Sequence, residues 1–436
     1  MRTNPEELEA HYCKSPFVKE VCVRDRYAVV VPDMDLMRMR KIVNVGDLLR
    51  FELEGLSHGL PPAQRLQGYE IWFESLPRTI TQTIDRDEVE RRVRERRQLT
   101  AAPLSEGEQA WLANPDVATV VQLIRARVRG DVRIRPDANL EIDLGLDSME
   151  RVELIAELES QLGVMIPKAA CSEIYTVGQL IDTVRSAEAA RGSNESRAAQ
   201  ADHSARATWT TILRDLPDLG WLLRKRTFLA PLLWILLRIA RWLLVRVTAH
   251  GLDKLPAQPP YIIAPNHQSY VDPFIVCSVL PYRVFKDVFQ VGAVEYFETP
   301  FTRWVARTAN LVPVDPDSNL VPAMQAGAFG LLNGKILMIF PEGERSIDGT
   351  VRKFKKGAPI LAQHLGVPVV PVALKGIHEL WPRNRGINWR LMAPWSGHRV
   401  SIAIGEPIAL PGGANYSESA ARLRSRVTGM WEALSS

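Results

Sequence analysis

His267 stands five positions before Asp272 in the run Asn266-His267-Gln268-Ser269-Tyr270-Val271-Asp272, directly behind the apolar stretch Tyr261-Ile262-Ile263-Ala264 and Pro265. An imidazole ionises near neutrality. It can therefore take a proton from a hydroxyl at physiological pH, while a carboxylate at its other nitrogen fixes the tautomer and stabilises the imidazolium. One such pair recurs by chance, but a second polar turn, Pro341-Glu342-Gly343-Glu344-Arg345-Ser346, follows another apolar run, Ile336-Leu337-Met338-Ile339-Phe340. Its arginine offers an anion a planar fork of donors. A third candidate is Ser148, behind the loop Asp143-Leu144-Gly145-Leu146-Asp147 and at the start of an amphipathic segment, where it caps a helix and presents its hydroxyl.

The first two turns need strands to hold them. Buried strands are expected over 261–264, 311–314, 336–340, 369–374 and 400–404, with helices such as 297–309 and 323–332 between them. That alternation predicts an α/β sheet sandwiched by helices, whose chemistry lies outside the carboxyl ends of the strands. The helix after Ser148 carries Met149, Val152, Ile155, Leu158 and Leu162 inward and Glu150, Glu153 and Glu157 outward, giving an acidic face. Before it, Val120, Val121, Leu123 and Ile124 fall on a helical period. The first hundred residues read as a small α+β domain with strands over 18–23, 27–31 and 69–73.

Together the runs NHQSYVD and FPEGERS resemble the glycerolipid acyltransferases, which include the lysophosphatidic acid acyltransferases. By that resemblance His267 is the general base and Asp272 its orienting carboxylate. Arg345 binds an acceptor phosphate, with Glu342 and Gly343 shaping its turn. Lys355, in the basic run 352–356, belongs to the same substrate site, although that run also reads as a solvated or lipid-facing face. Pro371, in Val367-Pro368-Val369-Val370-Pro371-Val372, shapes an apolar wall, and core packing explains it nearly as well. One position departs from the family: Pro316 stands where the second motif has an arginine, which leaves room for an acceptor whose phosphate is masked or missing.

The text DLGLDSMERVEL resembles the attachment site of an acyl carrier protein, which implies 4′-phosphopantetheine on Ser148, installed by a phosphopantetheinyl transferase and holding an acyl thioester; the plainer alternative is a simple N-cap. The acidic face would select basic partners. The N-terminal segment resembles the C-terminal subdomain of adenylate-forming enzymes without their ATP-binding domain. Where that family has a glycine and a lysine after Leu76-Pro77-Arg78-Thr79, this chain has Gln82 and Thr83, so adenylate formation loses its cation. The domain reads as non-catalytic: a relic of a fused synthetase, a docking surface for a separate one, or a folded appendage. The chain also reads as a possible fragment of a longer fusion.

These readings give a multidomain chain. A degenerate α+β domain spans 1–100, an all-α four-helix carrier domain 115–187, a flexible linker 188–207, a membrane-associated helical segment 208–250 and an α/β acyltransferase domain 251–436. A linker of that length raises the local concentration of the carried acyl group to roughly the millimolar range. In Trp221 to Val247, Arg224, Lys225 and Arg226 precede an apolar core over 227–237, interrupted by Pro231 and followed by Arg238 and Arg241. A span needs about 20 largely uncharged residues, so the segment is expected to lie in the lipid interface with Trp221, Trp234 and Trp242 at the boundary. A buried intramolecular helix and a true span are the alternatives.

Of the 436 residues 46% are apolar and 24% charged, an ordinary globular balance, and a net charge of +4 gives no support to nucleic-acid binding. The four cysteines, Cys13, Cys22, Cys171 and Cys277, lack metal-ligand spacing and read as buried fillers in a reducing compartment; no metal is expected. The start, MRTNPEELEA, has no signal-peptide core. The expected protein is a peripheral or monotopic O-acyltransferase at the cytoplasmic membrane face. It moves an acyl group from a carrier or acyl-CoA thioester to a lysophospholipid or glycerol-phosphate hydroxyl. The alternative is a carrier and docking protein, loaded by a separate adenylating synthetase, with its C-terminal domain as a membrane platform.

Overall fold

A computed structural model describes residues 4–40, 42, 45–79, 82–101, 106–128, 132–166, 174–191, 205–223, 229–292, 310–314, 320–382, 386–392, 396–413 and 415–434. The chain divides into two compact units, Met1–Thr208 and Trp209–Ser436.

In the first unit, β1 (Val18–Arg24) and β2 (Tyr27–Pro32) form an antiparallel hairpin, and β3 (Gly68–Ile71) adds to β2 in parallel. Strict alternation explains its two faces. Val21, Val23, Ala28 and Val30 pack under α1 (Pro5–Tyr12) and α3 (Val45–His58), whereas Cys22, Val29 and Val31 pack with Trp72, Leu76 and Val89 of α4 (Arg86–Ala101). A short α2 (Met34–Met39) completes the first part, whereas α5 (Glu106–Leu112) packs Trp111 and Leu112 against the carrier region's apolar cluster, ahead of that region's expected start at 115. The third strand ends two residues before the expected 73, at Ile71. Gln82 takes φ +64 in an exposed turn closed by Thr79 and Thr83, a conformation usually left to glycine.

The carrier region folds as α6 (Pro115–Arg125), α7 (Ser148–Leu162) and α8 (Val177–Arg191) around Val117, Val120, Ile124, Leu154, Leu158 and Leu180. Asp147, not Ser148, caps α7. Its carboxylate accepts from the N–H groups of Met149 and Glu150, and Glu150 reaches back to the Asp147 N–H at 3.0 Å, which makes Ser148 the first helical residue. The face of α7 also differs from the expected one, since Glu153 and Arg151 are buried beside Leu154 and Val152 is only half-buried. Helix α8 runs on to Arg191, into the expected linker, and α9 (Ala205–Ile212) begins before its end; 192–204 lie outside the described residues.

The second unit carries a seven-stranded sheet ordered β4-β10-β9-β5-β8-β6-β7. The strands are β4 (Arg246–His250), β5 (Tyr261–Pro265), β6 (Val288–Val291), β7 (Leu311–Val312), β8 (Ile336–Met338), β9 (Val369–Lys375) and β10 (Arg399–Ile404). Only β9 and β10 run antiparallel; the other pairs are parallel. A parallel centre is covered on both faces, which is why β5 is buried along its whole length. Helices α11 (Asp272–Val279), α12 (Tyr282–Phe285), α13 (Leu320–Leu332), α14 (Gly357–Leu365) and α15 (Tyr416–Ala433) flank the sheet. The expected helix over 297–309 falls outside the described residues.

Helix α10 (Leu229–Leu244) lies on this unit, and the chain passes from it straight into β4, so the last residues of the expected helical segment belong to the sheet. Leu233, Trp234 and Leu237 pack against the core, a stripe at helical spacing. Trp234 is thus turned inward, its indole N–H donating to the Leu280 carbonyl at 2.9 Å, rather than lying at a lipid boundary. Leu232, Ile235, Leu236, Ile239, Leu243 and Trp242, the last 77% exposed, face outward. Among the described residues no helix is long and apolar enough to cross a membrane. Of the cysteines, Cys22 and Cys277 are buried as expected, Cys13 is exposed, and Cys171 lies outside the described residues.

Candidate active site

β5 and β8 are neighbouring parallel strands with Ile263 opposite Met338, so the turns leaving their carboxyl ends meet. The first turn is tied to the sheet by its own polar side chains. Asn266 exchanges two hydrogen bonds with the main chain of Leu374, Gln268 donates to the Gly349 carbonyl and accepts from Ile377 N–H, and Ser269 donates to the Trp381 carbonyl. All three are buried, and an unpaired polar group there would cost a few kcal/mol, so the network fixes one path for the turn.

That path presents His267 to Asp272. Nδ1 of His267 lies 2.8 Å from Asp272 Oδ2, and the same oxygen accepts the N–H groups of Gln268 at 2.5 Å and Ser269 at 2.9 Å. A carboxylate at Nδ1 places the ring proton there and leaves the Nε2 lone pair free to act as base. The imidazole stacks on Phe340 of the second turn, centroids 4.0 Å apart and planes 24° from parallel. The Ser346 N–H donates to the His267 carbonyl at 2.7 Å, a main-chain link between the two turns.

Glu342 is 2% exposed, and its Oε1 accepts the His267 N–H at 3.2 Å. Burial pushes its carboxyl up to about 8, against the pull of the main-chain N–H groups it accepts. It touches the base's backbone, a role that turn-shaping alone did not anticipate.

Arg345 lies with its guanidinium carbon 3.3 Å from the centroid of Tyr270, and Tyr270 in turn packs beside Trp381. Its Nη1 is buried and makes no hydrogen bond among the described residues. Desolvation lowers it to about 10, which still leaves a full charge at neutral pH. A cation held on an aromatic face with a donor to spare is suited to an anion.

Gly343 has φ +73, and a side chain there would stand 2.8 Å from Lys355 Cε, so the lysine lies across this glycine. In the basic run, Arg352 pairs with Glu344 at 3.1 Å and Phe354 is buried, leaving Lys353 exposed. Pro371 lies in β9 with its ring close to Gly405, where Met430 of α15 also approaches, a packing position between sheet and helix. Asn310 donates to the Val288 carbonyl, while Asp315 and Pro316 fall outside the described residues. Among the described residues no group of three or more His, Cys, Asp or Glu side chains is placed to hold a metal ion.

Residues 246–375, which contain both turns, match the family model described as Acyltransferase. The chain carries an acyltransferase domain. Residues 118–184, with Ser148 among them, match the model described as Phosphopantetheine attachment site. The acyltransferase domain is similar to a chloroplastic 1-acyl-sn-glycerol-3-phosphate acyltransferase of Arabidopsis thaliana, 33% identical over 141 residues, covering 31% of this chain and 38% of the relative. A 1-acyl-sn-glycerol-3-phosphate acyltransferase of Pseudomonas aeruginosa is 30% identical over 154 residues, covering 34% of this chain and 57% of the relative. The chain thus spans between about two fifths and three fifths of these relatives' lengths. Among solved structures, the 1-acyl-sn-glycerophosphate acyltransferase of Thermotoga maritima aligns over 53% of this chain and 83% of its own, at 26% identity and a TM-score of 0.39.

Sequence reasoning passed over Tyr270, Phe340, Asn266, Gln268 and Ser269. The signal was available for the last three: polar residues in succession at a buried strand's end need partners. Nothing in the sequence pairs Tyr270 with Arg345 or Phe340 with His267, because those contacts join separate turns.

Proposed function

We propose that this protein is an O-acyltransferase that moves an acyl group from a thioester to the hydroxyl of a lysophosphatidate-type acceptor. The observation that carries the proposal is the His267–Asp272 pair at 2.8 Å on one turn with the Arg345 cation on the adjoining one. Nε2 of His267 takes the acceptor's hydroxyl proton as the oxygen attacks the thioester carbonyl. The tetrahedral intermediate then collapses, the C–S bond breaks, and the departing thiolate takes the proton from Nε2, leaving an ester and a thiol. Proton transfer through His267 contributes roughly 10²–10⁴-fold, and Asp272 stabilises the transient imidazolium. Arg345 binds the acceptor's phosphate, with Lys355 beside the same turn. No covalent intermediate on the protein is needed.

The phosphopantetheine attachment domain supports a donor carried on Ser148, with acyl-CoA as the free equivalent, and an adenylating synthetase is the kind of enzyme that would load it. The outward apolar face of α10 supports work at a lipid surface. The test is a transfer assay on full-length protein co-expressed with a phosphopantetheinyl transferase, its modification confirmed by intact mass. Acyl donor and radiolabelled lysophosphatidate are supplied. Labelled diacyl product should form, and His267→Ala should reduce it by about 10³-fold without loss of secondary structure. Undiminished transfer by that variant would sink the mechanism. Product that depends on Ser148 identifies the carrier as donor; equal activity of Ser148→Ala with acyl-CoA assigns the donor role to the free thioester.

A further inference from the structure

The loop that leads to Ser148 is built into the N-terminal domain. Glu141, seven residues before Ser148, accepts the N–H of Asp47 in the first turn of α3 at 3.0 Å through its Oε1. The first N–H groups of a helix have no partner within it and form its positive end, so a carboxylate supplied by another domain satisfies both needs. The fit is close: a side chain at Gly46 would stand 3.2 Å from Glu141 Oε1 and 3.2 Å from Ile142 Cγ1. Tyr175, just ahead of α8, is packed in the N-terminal domain's apolar cluster, as is Ile142. Its hydroxyl donates to the Ile42 carbonyl at 3.0 Å, while its own carbonyl accepts the Leu140 N–H at 2.9 Å.

Arg151, three residues beyond Ser148 on α7, is 5% exposed, and its charge acts on Glu141, Tyr175, Asp147 and Asp47. Burial raises the Glu141 carboxyl's pKa and the Arg151 charge opposes that rise. Ions are costly to take out of water unless compensated, and here the compensating groups come from both domains.

We propose that the N-terminal domain is the permanent seat of the carrier, the two forming one rigid body through Glu141, Arg151 and Tyr175, so that the Ser148 arm travels with both domains together. The N-terminal domain then has a use of its own, independent of whether the arm feeds the acyltransferase domain. Hydrogen exchange on the full-length chain tests it. The Asp47 amide should be protected in the wild type, and Glu141→Ala should accelerate its exchange at least tenfold while the carrier core, 117–124 and 154–158, keeps its protection. Glu141→Gln, which retains the acceptor oxygen, should fall between. Equal exchange at Asp47 in wild type and Glu141→Ala overturns the proposal. Should Glu141→Ala also expose the carrier core, Tyr175→Phe decides: accelerated exchange at both 42–50 and 138–147 supports the junction, and an unchanged profile overturns it.

Discussion

At Glu342 the sequence and the fold pull on one carboxyl in different directions. The turn that holds Arg345 also buries this acid against the main chain of His267, where its pKa rises from 4.5 to about 8. Between those values the folded protein keeps a proton that the unfolded chain has released. Stability from this group is therefore complete below about pH 4.5 and is lost as the pH climbs to about 8. Glu342→Gln should remove that slope and stabilise the protein above pH 8 by on the order of a few kcal/mol, read as Tm against pH. The variant keeps an oxygen for the His267 N–H, so kcat should stay within about tenfold of wild type, whereas Glu342→Ala should lower it further. Gly343→Ala tests the neighbouring position. It forces an alanine into φ +73 and against Lys355, and should raise KM for the phosphorylated acceptor severalfold at little change in kcat.

Among the elements, α7 and α10 each depart from their sequence pattern for a physical reason. The pattern of α7 put the cap at Ser148, and local hydrogen-bond geometry moved it to Asp147 by pairing that residue reciprocally with Glu150. Asp147→Ala should therefore cost about 1 kcal/mol in the carrier region's stability, measured by urea unfolding. In α10 nearly every residue is apolar, so sequence could not separate the face that meets the core from the face that does not; packing assigned Trp234 to the first and Trp242 to the second. If the outward face contacts lipid, Leu236→Glu combined with Trp242→Glu should abolish sedimentation with anionic phospholipid vesicles while leaving Tm within a few degrees. Unaltered sedimentation would remove α10 from the membrane-binding surface. Short β4 and β6 escaped the sequence reading because polar residues such as Arg246, His250 and Gln290 break their apolar runs, and pairing with β10 and β8 is what makes them strands.

At the scale of the whole molecule, the chain forms two units divided between Thr208 and Trp209, and the functional proposal requires a thioester on one to reach a base on the other, with 192–204 lying between α8 and α9 in the sequence. If that segment serves as a spacer, a Gly-Ser sequence of equal length should support carrier-fed transfer at an undiminished rate. Deleting most of it should reduce carrier-fed transfer strongly and leave acyl-CoA-fed transfer unchanged. A deletion that slows both reactions equally would show that the segment does more than span a distance.

Sequence by itself determined the local things: the apolar runs that became β5, β8 and β9, the two polar turns at strand ends, and the alternation that gives β1 and β2 their two faces. Each of these is a short-range pattern of residue type, and strand pleat or helix pitch reads such patterns directly. Tertiary structure decided what lies far apart in the chain. It set Arg345 on Tyr270, His267 on Phe340, Glu342 on the His267 backbone and Glu141 on α3. Those contacts join residues separated by between 73 and 94 positions, and no local pattern encodes them. They follow from which strands become neighbours and which faces are buried, and only the folded sheet and the packed domain junction settle that.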